Sequence, residues 1–383
     1  MASHSTLLAL LMSSFLFHTV VADASDDYCN FPAVFNFGDS NSDTGGLSAA
    51  FGPAPPPNGE SFFGKPAGRY CDGRLIIDFI ANSLGLPYLS AYLNSVGTNF
   101  SHGANFATAG STIRAQNTTL RQSGFSPFSL DVQSWEFAQF KSRSESFVKQ
   151  GLFKDQLPKE EYFSQALYTF DIGQNDLTAA YFSNMTTKEV KAVIPNILDK
   201  FTIVIQSVYW QGGRYFWIHN TGPFGCLPYV LDRLTLRAPD VDRAGCGSPF
   251  NEVAQLFNQK LKEVVDQLKK DLPLAVFTYV DIYSLKYELL SHASLHGFDS
   301  NALLTCCGHG GKYNYNANFG CGSMRMVNNT EVLVGKSCNN PFRRIIWDGV
   351  HFTQAANKWI FDHIVGGKFS YPPTPLKMAC KKN

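Results

Sequence analysis

Short apolar runs alternate along the chain with longer stretches in which apolar positions recur every three or four residues. The apolar runs end at polar or glycine-containing loops and predict buried strands; they cover residues 33–37, 166–172, 215–219 and 275–281. Helical periodicity is clearest over residues 253–268 and recurs over a segment near residues 188–210. Strands that alternate with helices favour parallel pairing by right-handed crossovers. The predicted fold class is therefore α/β, with three α/β/α layers around a central, mostly parallel sheet.

Polar loops begin where three of the predicted strands end. They comprise residues 38–41, 173–176 and 220–223. In folds of this class, chemistry is placed in loops at the carboxyl ends of the strands. Residues 52–73 are rich in proline and glycine and are expected to form an ordered surface loop near the first of these ends. We expect the aromatic side chains of Phe62, Phe63 and Tyr70 to pin this loop, with the lining of a substrate groove as the alternative.

Composition supports a single domain with a small-molecule partner. The chain has 383 residues, 44% of them hydrophobic, which suffices for one large core or two small ones. No Gly/Ser-rich linker, charge block or repeat divides it, so one domain is expected over residues 25–383. The formal net charge is +1 and the basic residues are scattered. This gives no electrostatic footprint for nucleic acid or an anionic membrane and favours a small neutral partner.

The first 24 residues are typical of a secretory signal peptide. An apolar run over residues 7–21 precedes Ala22-Asp23-Ala24, a small-residue pattern that predicts cleavage near Ala24. The segment before the run lacks Lys and Arg, which departs from the usual signal. A membrane anchor is the alternative, but the run is short for a bilayer span, and no later stretch predicts one.

Cysteines and sequons fit an oxidising compartment. All nine cysteines follow the predicted signal, and we expect several disulfides with one thiol left over. The cluster Cys306, Cys307 and His309, with Cys321 and Cys338 beyond, lacks the paired C-x2-C spacing of a zinc site, so disulfides are preferred there. Four N-x-[ST] sequons predict glycosylated surface loops; they lie at Asn99, Asn117, Asn184 and Asn328.

Two segments could together supply acyl-transfer chemistry. A serine hydroxyl needs a base that takes its proton, and an imidazole held by a carboxylate serves this role. Ser40 follows a predicted buried strand and a glycine. Asp348 and His351 share a short loop before a predicted helix, for which Thr353 is a plausible N-cap. Taken alone, each segment is as well explained by ordinary capping or turn residues.

The order of several motifs resembles plant GDSL esterases and lipases of the SGNH superfamily over nearly the whole mature chain. The first block is FNFGDSNSDTGG, followed by PPNGESFFGKPAGRYCDGRLIIDFIA, NFATAGSTI, DIGQNDL and DGVHFTQAAN. Asn41 replaces the leucine of the name motif, a variation common in the plant branch. Cys71 stands where a small hydroxyl residue is frequent, and a disulfide is one expectation for it.

The resemblance implies a flavodoxin-like SGNH hydrolase fold and a set of site residues. Ser40, His351 and Asp348 would form the catalytic triad. The backbone N–H groups of Ser40 and Gly110 and the side-chain amide of Asn175 would form the oxyanion hole. This chemistry requires no metal and no organic cofactor.

The expected function is secreted hydrolysis of acetyl, phenolic or lipid esters through an acyl-enzyme. An alternative is transfer of the acyl group to an alcohol acceptor. A glycosidase-like activity is less favoured, because the sequence identifies no pair of carboxylates astride a glycosidic bond. Non-catalytic glycan binding is less favoured because the residues implied for catalysis are all present, namely Ser40, Gly110, Asn175, Asp348 and His351. The expected location is extracellular, in the apoplast, with the vacuole as an alternative.

Overall fold

The computed structural model describes residues 28–116 and 125–382. The predicted signal peptide and the sequon at Asn117 therefore lie outside the described residues. Within the described ranges, none of the helices combines the length and the apolar character that crossing a bilayer requires.

A six-stranded sheet forms the centre of the fold. Its strand order is β2-β1-β3-β4-β5-β8, parallel throughout except for the last pair. The strands are β1 (Val34–Gly38), β2 (Gly103–Asn105), β3 (Leu167–Asp171), β4 (Tyr215–His219), β5 (Val276–Val280) and β8 (Ser370–Tyr371). The four strands predicted from apolar runs are observed within one residue of the predicted ends.

Helices cover both faces of this sheet, so the predicted three-layer α/β/α class is correct. The ten helices of the described ranges are α1 (Gly46–Phe51), α2 (Ile76–Ser83), α3 (Leu130–Lys149), α4 (Tyr162–Gln165), α5 (Gln174–Phe182), α6 (Thr187–Trp210), α7 (Pro228–Arg233), α8 (Ser248–Asp271), α9 (Ile282–Ser291) and α10 (Gln354–Ile364). Helices α3, α6 and α8 pack side by side, and α10 packs against α2 and α9. The two helices predicted from periodicity correspond to α8 and α6.

The core beside the first strand is aromatic. Phe35 and Phe37 of β1 are fully buried. The Phe37 ring stacks on Phe170 of β3 at 4.8 Å and on Phe106 at 5.3 Å between ring centroids. Offset aromatic contacts of this kind add to the free energy gained from burial. The strand that leads to the predicted nucleophile is therefore held rigidly.

Four disulfides link eight of the nine cysteines. They join Cys29 to Cys380, Cys226 to Cys246, Cys306 to Cys338 and Cys307 to Cys321. The last two hold the segment that carries the hairpin β6 (Met324–Val327) and β7 (Thr330–Leu333). The zinc alternative is excluded, because all four of its cysteines are in disulfides.

Cys71 is the free cysteine, so the disulfide expected for it is wrong. Its side chain is fully buried. Burial, with the neighbouring Asp72, raises the pKa of the Cys71 thiol well above its ordinary value. The thiolate that would react is therefore disfavoured at neutral pH.

Candidate active site

Ser40 lies in a tight turn directly after β1, at the carboxyl end of the sheet. The turn begins at Gly38, where an added Cβ would lie 2.5 Å from the Ser42 hydroxyl oxygen and 2.6 Å from the Asp171 carbonyl oxygen. Only glycine allows β1 and β3 to approach this closely. Ser40 itself is 5% exposed. Its backbone N–H donates to no acceptor within residues 28–116 and 125–382.

A glutamine from helix α3 fixes the start of this turn. The Gly38 N–H donates to Gln133 Oε1 at 2.9 Å, and Gln133 Nε2 donates to the Gly38 carbonyl at 2.8 Å. Gln133 is fully buried. The sequence analysis missed this residue, although a weak signal exists: it occupies a buried position between Leu130 and Phe137 on a largely apolar helix face.

Asp348 and His351 form a close pair in the loop before α10. His351 Nδ1 lies 2.6 Å from Asp348 Oδ2. The other carboxylate oxygen, Oδ1, accepts the backbone N–H groups of Val350 at 3.0 Å and His351 at 2.9 Å. Burial alone would raise the pKa of Asp348, but the charge and hydrogen bonds of His351, with the Val350 N–H, hold it below its ordinary value. The carboxylate is therefore ionised and orients the imidazole.

The loop around this pair depends on one glycine and one cap. Gly349 has φ +94°, and a Cβ there would lie 2.4 Å from the Tyr315 ring. The Thr353 side chain accepts the Ala356 N–H, which confirms it as the N-cap of α10. The cap fixes the point at which the helix begins and so the path of the loop that carries His351.

The second ring nitrogen of His351 is available. His351 Nε2 is buried and has no hydrogen-bond partner among the described residues. Lys286 Nζ lies 4.7 Å from the centroid of the Phe352 ring, next to His351, and 3.4 Å from Asn41 Oδ1, next to Ser40. The structure thus brings the carboxyl-terminal Asp-x-x-His segment to the turn that carries Ser40.

Gly110 and Asn175 come from the two neighbouring strands. Gly110 lies in the loop after β2, with φ +80°, and its N–H has no acceptor within the described ranges. Asn175 opens helix α5 after β3 and is buried. Its Nδ2 donates to the Ser111 carbonyl at 2.9 Å and lies 3.4 Å from Asp39 Oδ2. Ser40, Gly110 and Asn175 therefore meet at one edge of the sheet.

Two buried carboxylates link these loops to each other. Asp43 accepts the Ala109 N–H at 2.7 Å as well as three N–H groups of its own loop. Asp176 accepts the N–H groups of Ile113 at 2.8 Å and Arg114 at 3.0 Å. Burial raises the pKa of Asp176 to about 7, although these N–H groups oppose the shift. Neither carboxylate was identified from the sequence as part of the site.

A cluster of buried charges lies beside Ser40. Burial and the charge of Asp171 raise the pKa of Asp39 to about 7, against the opposing hydrogen bonds of Asn41. Asp171 is itself kept below its ordinary pKa, despite its burial, by the hydrogen bond and charge of His219 and by Lys286. The Lys286 ammonium is buried, which lowers its pKa, and it lies 3.4 Å from Asn41 Oδ1. This cluster is a tertiary feature that no motif predicted.

The Pro/Gly-rich loop contributes one aromatic side chain to the site. Phe62 and Phe63 contact each other and Tyr88, as expected for residues that pin the loop. Tyr70 instead contacts His351, with 5.8 Å between ring centroids. Phe62 and Phe63 therefore pack within the loop, whereas Tyr70 forms part of the wall of the site.

The described sequons are accessible, and the described residues hold no obvious metal site. Asn99, Asn184 and Asn328 are all exposed. Within residues 28–116 and 125–382, no group of three or more His, Cys, Asp or Glu side chains is arranged to hold a metal ion.

The fold and this site define a class of ester hydrolase with a serine in the turn after the first strand. The model of the GDSL-like Lipase/Acylhydrolase family matches residues 34–364. The chain belongs to this family, and it is an enzyme that acts on ester bonds.

Several plant proteins are similar in sequence to this chain. The GDSL esterase/lipase ACHE of Zea mays is 64% identical over 359 residues, 92% of this chain and 89% of the relative. Alpha-L-fucosidase 3 of Arabidopsis thaliana is 59% identical over 377 residues, 98% of this chain and 99% of the relative. An esterase of Hevea brasiliensis is 53% identical over 377 residues, 97% of this chain and 95% of the relative.

Among solved structures, phospholipase A1 from Streptomyces albidoflavus is similar at 13% identity with a TM-score of 0.35. The match covers 74% of this chain and 90% of that chain.

Proposed function

We propose that this protein hydrolyses carboxylic esters through Ser40, His351 and Asp348. The observation that carries the proposal is the state of His351: Nδ1 is fixed by Asp348 at 2.6 Å, and the buried Nε2 has no partner within the described ranges. An imidazole with one nitrogen oriented by a carboxylate and the other free is suited to take a proton from a neighbouring hydroxyl.

In the proposed mechanism, His351 Nε2 accepts the proton of the Ser40 hydroxyl as its oxygen attacks the ester carbonyl carbon. The resulting imidazolium is stabilised by Asp348 and then donates that proton to the departing alkoxide, which leaves as the alcohol. Water attacks the acyl-enzyme by the same route and releases the acid. No metal or organic cofactor takes part in these steps.

The proposed oxyanion hole comprises the N–H groups of Ser40 and Gly110 and the Asn175 amide. Both backbone N–H groups lack acceptors within residues 28–116 and 125–382, which leaves them free for a developing negative charge. Asn175 holds one amide hydrogen on the Ser111 carbonyl at 2.9 Å, whereas its contact with Asp39 is long, at 3.4 Å. The second hydrogen can therefore turn to the oxyanion at little cost.

The proposed substrates are esters of small or medium acids, including acetyl, phenolic and lipid esters. Transfer of the acyl group to an alcohol acceptor would use the same acyl-enzyme. The relative named as an alpha-L-fucosidase raises glycoside hydrolysis as a separate activity. Two of the carboxyl groups nearest Ser40 are already occupied, Asp348 by His351 and two N–H groups, and Asp39 by Asn41. This favours acyl chemistry over a free carboxylate pair.

We further propose that the protein is a secreted glycoprotein. Four disulfides, which persist in oxidising compartments, support secretion to the apoplast or delivery to the vacuole. The exposure of Asn99, Asn184 and Asn328 leaves room for N-linked glycans. Mass spectrometry of the secreted protein before and after glycosidase treatment tests both points, and a mature protein that retains residues 1–24 would contradict the signal peptide.

The test compares the secreted protein with Ser40→Ala on p-nitrophenyl esters of increasing chain length and on p-nitrophenyl fucoside. We expect serine-dependent ester hydrolysis and covalent labelling of Ser40 by a fluorophosphonate. The control is Ser83→Ala, which removes a hydroxyl at the end of α2 that donates to the Ile80 carbonyl and has no other hydrogen-bond partner among the described residues. Full ester turnover by Ser40→Ala would overturn the triad. Fucoside turnover that survives in Ser40→Ala would assign that activity elsewhere.

A further inference from the structure

A cavity of about 320 Å³ lies beside helix α3, away from the loops around Ser40. Its lining is mainly aromatic and aliphatic; it comprises Tyr92, Leu93, Ser95, Phe100, Phe140, Arg143, Ser144, Phe147 and Leu157. This volume is at the small end of the range for ligand pockets and suits a molecule of one or two rings.

The rings in this lining are arranged edge to face. The Phe140 ring meets those of Tyr92 at 6.0 Å and Phe100 at 5.5 Å, with interplanar angles of 84° and 74°. Rings at these separations and angles contact each other, so they form one aromatic wall of the cavity, against which a flat guest can pack. The apolar part of the cavity therefore favours an aromatic guest over a flexible alkyl chain.

The polar part of the cavity has a cation without a counter-ion. Arg143 forms no ion pair, hydrogen bond or ring contact with any residue in the described ranges. Burial and the charge of Glu136 raise the pKa of the Tyr92 hydroxyl, and the charge of Arg143 opposes them, so both charged groups act on this hydroxyl. Glu136 lies about two turns earlier on α3, and its buried Oε2 has no hydrogen-bond partner among the described residues, so it does not pair with Arg143. A guanidinium with an open fork prefers a carboxylate or phosphate.

A buried hydroxyl provides the second polar feature. Ser144 lines the cavity and is 1% exposed. Its hydroxyl oxygen has no hydrogen-bond partner among the described residues. A buried polar group without a partner costs free energy, and rotation of the Ser144 side chain toward the cavity would let this hydroxyl bond to a ligand oxygen and remove that cost.

This cavity is distinct from the catalytic centre. Gln133, near the start of α3, contacts Gly38 at the carboxyl end of β1. Arg143 lies ten residues further along the same helix, which corresponds to about 15 Å along the helix axis. Phe100, on the other side of the cavity, precedes β2 at the amino ends of the strands. The cavity and Ser40 therefore lie toward opposite ends of the sheet.

We propose that this cavity is a second, non-catalytic binding site for a small aromatic carboxylate. The rings of Tyr92, Phe100 and Phe140 hold its aromatic body, Arg143 binds its carboxylate, and the Ser144 hydroxyl donates to one of its oxygens. This binding site is independent of the chemistry at Ser40. Absence of ligand binding in the cavity would therefore leave the proposed esterase mechanism untouched, and absence of Ser40-dependent hydrolysis would leave this proposal untouched.

The test uses 2-naphthoate, which contains no ester bond, and its neutral counterpart 2-naphthalenemethanol, titrated into the full secreted protein by calorimetry. We expect naphthoate to bind more tightly than the alcohol. Arg143→Gln should weaken naphthoate binding about tenfold or more, because a charge-assisted hydrogen bond is lost, and should leave alcohol binding unchanged. Arg143 is exposed, so this variant is expected to fold.

Two controls separate this site from others. Lys149→Gln removes a cation of the same helix that pairs with Glu160 and does not line the cavity, and it should leave the affinity unchanged. Labelling of Ser40 with a fluorophosphonate should also leave it unchanged. The proposal is overturned if naphthoate does not bind, if Arg143→Gln binds it as tightly as the unmodified protein, or if labelling of Ser40 abolishes binding.

Discussion

Replacing Asp348 with asparagine separates the two structural roles of this carboxylate. Its Oδ1 accepts the N–H groups of Val350 and His351, and its Oδ2 faces His351 Nδ1 at 2.6 Å. Asparagine keeps an acceptor for the two backbone groups but presents an amide NH₂ to Nδ1. A neutral imidazole carries one proton. Since Nδ1 must then accept, the proton moves to Nε2, and His351 can no longer take a proton from Ser40.

The expected loss follows from this change of tautomer. Reversal of the imidazole in a serine triad lowers kcat by about 10⁴-fold, which corresponds to about 5 kcal/mol of transition-state free energy. Folding should suffer much less in Asp348→Asn, because both backbone hydrogen bonds remain. Asp348→Ala lacks these acceptors as well, and each unpaired buried N–H costs about 1–3 kcal/mol. The two variants should therefore be similarly inactive but differ in stability.

The assay measures kcat and KM for p-nitrophenyl acetate from pH 5 to 9, together with thermal unfolding. The pKa of Asp348 is below its ordinary value of 3.8 in the folded protein. The ion pair therefore contributes stability above about pH 4, and this contribution is lost as the pH falls through the folded-state pKa. Activity of Asp348→Asn within tenfold of the unmodified enzyme would refute the tautomer argument. Equal melting temperatures of the asparagine and alanine variants would refute the argument from the backbone hydrogen bonds.

Two other buried ionisable groups, Glu136 and Lys286, give predictions about how stability and activity depend on pH. Burial raises the pKa of Glu136 to about 7, so this residue contributes less stability as the pH rises from about 4 through 7. Glu136→Gln should accordingly melt higher than the unmodified protein at pH 8 and equal to it at pH 4; a difference independent of pH would contradict this. Lys286→Met removes the cation that faces Asp39 and Asp171, so the pKa values of both carboxyls should rise. The acid limb of kcat/KM should move to higher pH by a measurable fraction of a unit, and the folded protein should be less stable because the buried Asp171 loses a counter-charge; superimposable pH profiles would contradict this.

The main strands were predictable because they are long, apolar and bounded by polar loops. Strand β4 was predicted with its observed ends, and β1, β3 and β5 within one residue. Strands β2 and β8 were missed, since they have three and two residues. Gly103-Ala104-Asn105 presents no apolar run, and only its pairing with β1 makes it a strand. Such short edge segments are set by tertiary pairing and not by local pattern.

The contacts of the candidate site were predictable where the residues are close together in the sequence. The contact of Asp348 with His351 follows from their spacing of three residues. Gln133 and Lys286 become part of the site only because the fold brings α3 and α9 to the turn after β1. Each had a weak signal in the sequence, a polar residue at a buried position of a largely apolar helix face. Such positions are unfavourable unless a partner compensates, so they indicate a buried polar network without identifying its partner.

The buried carboxylates Asp43 and Asp176 fix the loops that carry the proposed oxyanion hole. Asp43 and Asp176 each accept backbone N–H groups from the loop that contains Gly110. These bonds fix the loop at Ala109 on one side of Gly110 and at Ile113 and Arg114 on the other, while the Gly110 N–H has no acceptor within residues 28–116 and 125–382. Burial opposes the negative charge of both carboxyls and raises their pKa values. Keeping them ionised therefore costs free energy of folding. A rigid set of unpaired donors therefore costs some folding stability at neutral pH, and that rigidity is what electrostatic stabilisation of a transition state requires.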